Sequence, residues 1–313
     1  MPALITGVYA AIFTPRDEHG EIADDVLEGH ARWLLQSGVQ GLVVGGATAE
    51  YVFADESEAR RLVEAVADIA GRHRFIAGIG GGTVQQCIRR GQHAMDCGAR
   101  ALLLPAPHFF PYSPEDVATF ARHVANHVNG PVLLYQLPQF SNGYSTEHAL
   151  GLLHTEDAVV GIKDSSGSLE LLRDLTERGA AGVSRIVGND SVLVRGRREG
   201  VCDAVISGVS AALPDLIVAL FDAASVDSET EPPLAFLLDE VIQQLNGFPV
   251  PWGLKWIAEA RGLGPFGSPL PISPQRQDEA RALREWLRDF LPRLAHALAD
   301  HALSSTEIPV AGR

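Results

Sequence analysis

Cysteine is scarce in this 313-residue chain, and lysine is scarcer still. The three cysteines, Cys87, Cys97 and Cys202, are odd in number and show no Cys-x-x-Cys spacing, which argues against a disulfide framework and against a cysteine-bound zinc site. Small buried thiols in a reducing compartment are the plain reading. No Lys/Arg run or basic stripe exists to neutralise phosphates, and the net charge is −14, so a nucleic-acid partner is not expected. An acidic surface also repels anions at long range, so any acid that binds must be held by local donors. No apolar run approaches the roughly 20 residues a membrane helix needs. The opening stretch, MPALITGVYAAIF, lacks the basic region of a signal peptide and reads as a strand. These absences lead us to expect a cytoplasmic protein with no membrane partner. The 11 histidines form no visible metal-ligand cluster, so no metal is expected.

What is present is an alternation. Short apolar runs at Ile5–Thr14, Gly41–Gly45, Phe75–Gly80, Ala101–Leu104, Pro131–Tyr135, Ala158–Lys163, Ser184–Gly188 and Ala204–Ser207 are separated by stretches of helical length. Several runs are continuously apolar (GLVVGG, ALLLP, PVLLY, AVVGI), as in parallel strands buried on both faces. Helix signals fall between them: Leu27, Ala31, Leu34 and Leu35 share a face, Asp55 and Glu58 have capping-box spacing, and Pro114 follows Ser113 at a first helical position. Eight strands alternating with helices imply an α/β chain, either a (β/α)8 barrel or a doubly wound sheet. The even count and the length favour the barrel, and no Gly-x-Gly-x-x-Gly follows the first strand, which weakens the other. The expected layout is a barrel over 1–225, a C-terminal helical extension over 226–303 and a mobile tail over 304–313. The polar stretch Ser225–Pro233 reads as a surface loop, and Pro292 as a kink or break in the last helix.

Of 25 basic side chains only Lys163 and Lys255 are lysines. Lys163 ends the run AVVGIK and precedes the turn DSSG, so it sits where a buried strand leaves the sheet. In a barrel that is the C-terminal face, where active sites are built. Desolvation there favours the neutral amine, the nucleophile that turns a ketone into a Schiff base. The bland alternative is a lysine snorkelling to solvent or paired with Asp164. Lys255 lies in the amphipathic stretch PWGLKWIAEA and reads as structural. Among five tyrosines only Tyr135 closes a buried run, PVLLY, one strand from Lys163, where its phenol can move a proton. An aromatic packed under the rim is the alternative there. GGATAE (Gly45–Glu50), at the second strand's end, offers a tight backbone and the Thr48 hydroxyl to a small carboxylate. GIGGG (Gly78–Gly82) lacks a Walker lysine and reads as an ordinary barrel loop rather than a phosphate cradle.

In order along the chain, GGATAE, AGIGGG, PAPHFFPYS, LLYQLP, GIKDSSG, GND and the VISG run resemble the dihydrodipicolinate synthase / N-acetylneuraminate lyase family, from GVYAAIFTP to the C-terminal helices. The resemblance implies a (β/α)8 barrel with three C-terminal helices, usually tetrameric, and class I chemistry through a lysine Schiff base with pyruvate or another 2-oxo acid. It makes Lys163 the Schiff-base lysine and Tyr135 the acid/base group. Thr48 and the backbone of Ala47 then hold the oxo acid's carboxylate, and the main chain of Ile206 lines the pocket. Three positions depart from the synthase pattern. Ala47 lacks a relay hydroxyl, Phe109 replaces a tyrosine that the synthases donate from a neighbouring subunit, and Phe140 replaces an arginine that grips a second carboxylate. A phenyl ring makes no bidentate contact, which argues against dihydrodipicolinate synthesis. His108, Phe109 and Phe140 are expected to line a less polar substrate pocket.

The implied function is a class I aldolase or lyase of a 2-oxo acid, for example a 2-oxo-3-deoxy sugar acid, with pyruvate and an aldehyde as the small-molecule partners. A dehydratase using the same imine is an alternative. So is a non-catalytic member that binds an oxo acid, which the missing hydroxyls motivate and the retained Lys163 and Tyr135 oppose. No metal or organic cofactor is required by this chemistry.

Overall fold

The computed structural model describes residues 3–178, 182–224 and 231–306. Eight strands pair in parallel and in sequence order, and the last closes on the first. They are β1 (Gly7–Ala11), β2 (Gly41–Val44), β3 (Phe75–Gly78), β4 (Ala101–Pro105), β5 (Val132–Gln136), β6 (Val159–Asp164), β7 (Ser184–Val187) and β8 (Ala204–Ser207). The chain is therefore a (β/α)8 barrel, and each strand lies inside its apolar run or overshoots it by one residue, β1 being shorter than its run by two residues at one end and three at the other. Strand residues alternate between two packed layers because successive side chains point to opposite faces. One layer, containing Tyr9, Val43, Ile76, Leu103, Leu133 and Ile206, fills the barrel; the other joins strands to helices.

Several helices form where local signals start them. Asp55 caps α2 (Glu56–Ala70) in a reciprocal box with Glu58, and Ser113 caps α4 (Pro114–Ala125) in the same way with Asp116, Pro114 standing at the first position. α1 (Asp24–Gln36) buries Leu27, His30, Ala31 and Leu34, while Leu35 is half-buried.

Three helices follow the barrel: α9 (Glu231–Leu245), α10 (Trp252–Ala260) and α11 (Pro274–Thr306). Two expectations change here. Of the loop expected at Ser225–Pro233, residues 225–230 lie outside the described residues, while Glu231, Pro232 and Pro233 already belong to α9. Proline is tolerated in a first turn because the N–H it lacks has no partner there. α11 also passes through Pro292 without a break. Leu283, Leu287, Phe290 and Leu294 continue one buried stripe across the proline, and this packing outweighs one lost hydrogen bond. The helix reaches Thr306, and the rest of the tail expected at 304–313 lies outside the described residues. No helix among the described residues is long and apolar enough to cross a membrane.

Candidate active site

Alternation decides which way the reactive side chains point. Val132 and Leu134 of β5 face the helices, so Leu133 and Tyr135 face the barrel interior. Ile162 of β6 faces the helices, which turns Lys163 inward. Tyr135 and Lys163 stand opposite one another in the β5–β6 register, near the C-terminal ends of both strands. The side-chain nitrogen Nζ of Lys163 lies 4.2 Å from the centre of the Tyr135 ring. Both side chains are buried, at 6% and 4% exposure. Asp164 makes no ion pair with Lys163; it points to the other face and its Oδ1 accepts from the Ser166 N–H at 2.8 Å. Burial raises the pKa of that carboxyl.

Gly188, just after β7, makes room for the lysine. A Cβ there would lie 2.6 Å from Lys163 Cε and 2.2 Å from Ser165 Oγ, so only a glycine lets the backbone pass. Ser165 and Asp190 are the residues that reading along the sequence missed. Ser165 Oγ is buried and has no hydrogen-bond partner among the described residues. Ser165 stands two residues beyond Lys163, so the period-two rule carried past the strand end was the available signal. Asp190 lies in the short turn after β7. Its Oδ2 accepts from the Val209 N–H at 3.3 Å, while Oδ1 has no partner among the described residues. Burial pushes its pKa up; the Ser207 hydroxyl, the Val209 amide and the charge of Lys163 pull the other way. Nothing in the bare triplet GND marks that burial.

The GGATAE segment turns tightly out of β2. Gly45 has φ +70°, and the Gly46 carbonyl accepts from the Ala49 and Tyr51 N–H groups. The Thr14 hydroxyl donates to the Ala49 carbonyl at 2.8 Å. Among the described residues the N–H groups of Ala47 and Thr48 have no acceptor, although Thr48 is buried. The Thr48 hydroxyl reaches the backbone beyond β8, where a Cβ on Gly208 would meet it at 3.4 Å. Ile206, two residues earlier, is buried in the barrel interior. Two free amides and a hydroxyl on a buried turn are suited to a small anion.

Further out, Ala47, His108 and Phe140 share a cavity of about 280 Å³ with Tyr51, Val52 and Leu137. Phe140 is 62% exposed at its rim. Phe109 does not join this cavity. It is 88% exposed, has φ +75°, and borders a separate hollow with His108, Phe110 and Tyr112. Tyr51 is the third residue passed over in the sequence. Burial and the nearby Tyr135 and Cys87 push its phenol up to about 12, Arg90 opposing. Its ring packs on Gly80, where a Cβ would lie 2.6 Å away. That contact accounts for one glycine of GIGGG without any phosphate. Among the described residues no three His, Cys, Asp or Glu side chains are grouped to hold a metal ion.

Residues 4–289 match the dihydrodipicolinate synthetase family, and the chain belongs to that family. Similar proteins include a 4-hydroxy-tetrahydrodipicolinate synthase of Staphylococcus haemolyticus, 29% identical over 296 residues that cover 93% of this chain and 98% of the relative. The fold is shared with a 2-keto-3-deoxygluconate aldolase variant from Sulfolobus solfataricus (TM-score 0.83, 21% identity, 93% of this chain and 98% of that one). It is shared equally with YagE of Escherichia coli K12, a prophage protein of the dihydrodipicolinic acid synthase family solved in complex with pyruvate (TM-score 0.85, 23% identity, 92% and 99%).

Proposed function

We propose that this chain is a class I lyase that cleaves or forms a 2-oxo acid through a Schiff base on Lys163, with pyruvate and an aldehyde as the second pair of reactants. The observation that carries the reading is the buried Lys163–Tyr135 pair at the barrel's C-terminal face, with no carboxylate ion-paired to the amine among the described residues. Lys163 Nζ adds to the C2 ketone and water leaves, which gives an iminium ion. That cation accepts the C3–C4 electron pair as Tyr135 takes the C4 hydroxyl proton, and the aldehyde departs. Protonation of the enamine at C3 and hydrolysis release pyruvate and the free amine. The oxo acid's carboxylate rests on the Thr48 hydroxyl and the free amides of Ala47 and Thr48.

The oxygens of Ser165 and Asp190 that lack partners among the described residues favour a hydroxylated substrate such as a 2-oxo-3-deoxy sugar acid, because substrate hydroxyls would satisfy both. Phe140, in the place of the synthases' arginine, disfavours dipicolinate chemistry despite the names of the curated relatives. Elimination of a C3 proton and a hydroxyl from the same iminium is the dehydratase variant. Within this proposal the barrel spans 1–225 and the helical extension 226–303, and the enzyme works in the cytoplasm as a homotetramer. The exposed cluster of Phe109, Phe110 and Tyr112 supports association.

Borohydride reduction with pyruvate tests the chemistry. The expected product is one reduced adduct, on the peptide carrying Lys163 and not on that carrying Lys255. Pyruvate bound without an adduct would instead make this an oxo-acid-binding protein. A panel of 2-oxo-3-deoxy acids, read by pyruvate release, then separates cleavage from dehydration.

A further inference from the structure

The second lysine is also buried, and it is tied to the proposed carboxylate site. Lys255, in the first turns of α10, is 3% exposed. Its Nζ donates to Glu50 Oε2 at 2.5 Å and to the Gly267 carbonyl at 2.9 Å. Glu50 closes the GGATAE turn. It holds φ +56°, a left-handed conformation that a residue with a side chain keeps only when its surroundings fix it. Its own N–H donates to the Ala47 carbonyl at 2.9 Å. The residue that Lys255 grips is therefore the one that closes the turn presenting Ala47 and Thr48. The two segments also come to one place: Leu254 of α10 and the Thr48 hydroxyl both border Gly208, at 3.5 and 3.4 Å from where its Cβ would stand. Buried pairs are often replaceable by apolar side chains without loss of stability, so stability alone gives this one little reason to exist.

We infer that Lys255 and Glu50 are positioning residues: the pair locks the turn after β2 so that its free amides meet the carboxylate of the 2-oxo acid. The C-terminal extension thereby completes the substrate site, although it contributes no atom to the reaction. The inference rests on the carboxylate role given above to Ala47 and Thr48.

The test compares two ketones that differ in the carboxylate. Borohydride trapping on Lys163 is titrated with pyruvate and with acetone, in the full chain and in Lys255→Met. The pyruvate concentration for half-maximal trapping should rise about tenfold or more, while that for acetone stays within about twofold. Glu50→Gln keeps a hydrogen-bond acceptor for Lys255 and removes only the charge; its shift should have the same selectivity and be smaller. It carries the comparison if Lys255→Met fails to fold, as judged by near-ultraviolet circular dichroism. An equal loss with both ketones overturns the inference, because it means general disorder of the pocket. So does no loss with either. A wild-type chain that traps neither ketone overturns the Schiff-base reading itself, and a wild-type chain that traps pyruvate no better than acetone overturns the carboxylate role.

Discussion

The two lysines are equally hidden and differently kept. Lys255 has a carboxylate oxygen and a carbonyl oxygen on its nitrogen. Lys163 has the face of a phenol and shares the space over Gly188 with Ser165, whose hydroxyl lacks a partner among the described residues, as does one oxygen of Asp190, a carboxyl whose pKa burial raises against the pull of the Lys163 charge. Around Lys255 burial works against the charge of both ionised partners, lowering the pKa of the lysine and raising that of Glu50, while each partner's charge opposes the shift in the other. Burial alone therefore does not make a lysine a nucleophile. What separates the two is whether the surrounding acceptors are already committed. A satisfied amine is a strut, whereas an amine beside unsatisfied polar atoms is a place for a ligand.

The largest effect should come from breaking the comparison outright. Lys163→Ala is expected to lower the rate of pyruvate release by roughly 10⁴-fold or more and to abolish the reduced adduct, since the covalent step has no substitute nearby. An adduct that persists on Lys255 would exchange the roles assigned here. Tyr135→Phe keeps the ring beside Lys163 and removes only the proton carrier. It should cost about 10²–10³ in kcat and leave pyruvate trapping intact, if slower, in single-turnover measurements.

How much of this was legible in the sequence follows from the range of the interactions. The barrel was legible because several strands are continuous apolar runs and some helices carry a start signal within a few residues, as at Asp55 and Ser113. That Lys163 and Tyr135 stand at one barrel end was legible from their places at the ends of apolar runs, and alternation along β5 and β6 turns both inward. The left-handed Glu50 and its tie to Lys255 span 205 positions, and no local pattern encodes such a contact. The burial of Asp190 depends likewise on Val209, from the next strand's loop. The helix does not break at Pro292 because a local helix-breaking tendency is overruled by a buried stripe that only the packed extension supplies. The short turn of α9 at Glu231 was misjudged because proline in a first turn looks, residue by residue, like proline in a loop.

A third buried base shows what burial does when only one acceptor is present. His30 stacks 4.9 Å from Phe13, and its ring Nε2 lies 2.7 Å from the Ala211 carbonyl. Burial lowers its pKa from 6.5 to about 4, the carbonyl opposing. In the unfolded chain the imidazole takes up its proton near pH 6.5, while the folded protein resists protonation until about pH 4. The stabilisation this represents is complete above 6.5 and is lost as the pH falls through that window. Between pH 7 and 5 it amounts to about 2 kcal/mol. Urea unfolding of wild type and His30→Phe across this range should show a loss of stability toward pH 5 that is larger in the first by about 2 kcal/mol. Parallel curves would mean that the ring protonates as easily in the fold as outside it.

The smallest effect is also the sharpest test of unsatisfied polarity around Lys163. If the Ser165 hydroxyl is merely a buried group without a partner, Ser165→Ala relieves a desolvation cost and the chain gains about 1 kcal/mol, with no change in turnover. If it waits for a substrate hydroxyl, the same variant gains that stability and loses about tenfold in kcat/KM toward a hydroxylated 2-oxo acid. Pyruvate, which has no hydroxyl chain, should form its adduct equally well in both proteins. The opposite signs of the stability and activity changes, measured on one variant, separate a packing flaw from a binding group. Loss of pyruvate trapping as well would show that the serine supports the lysine itself, a result that would erase the contrast between the two amines.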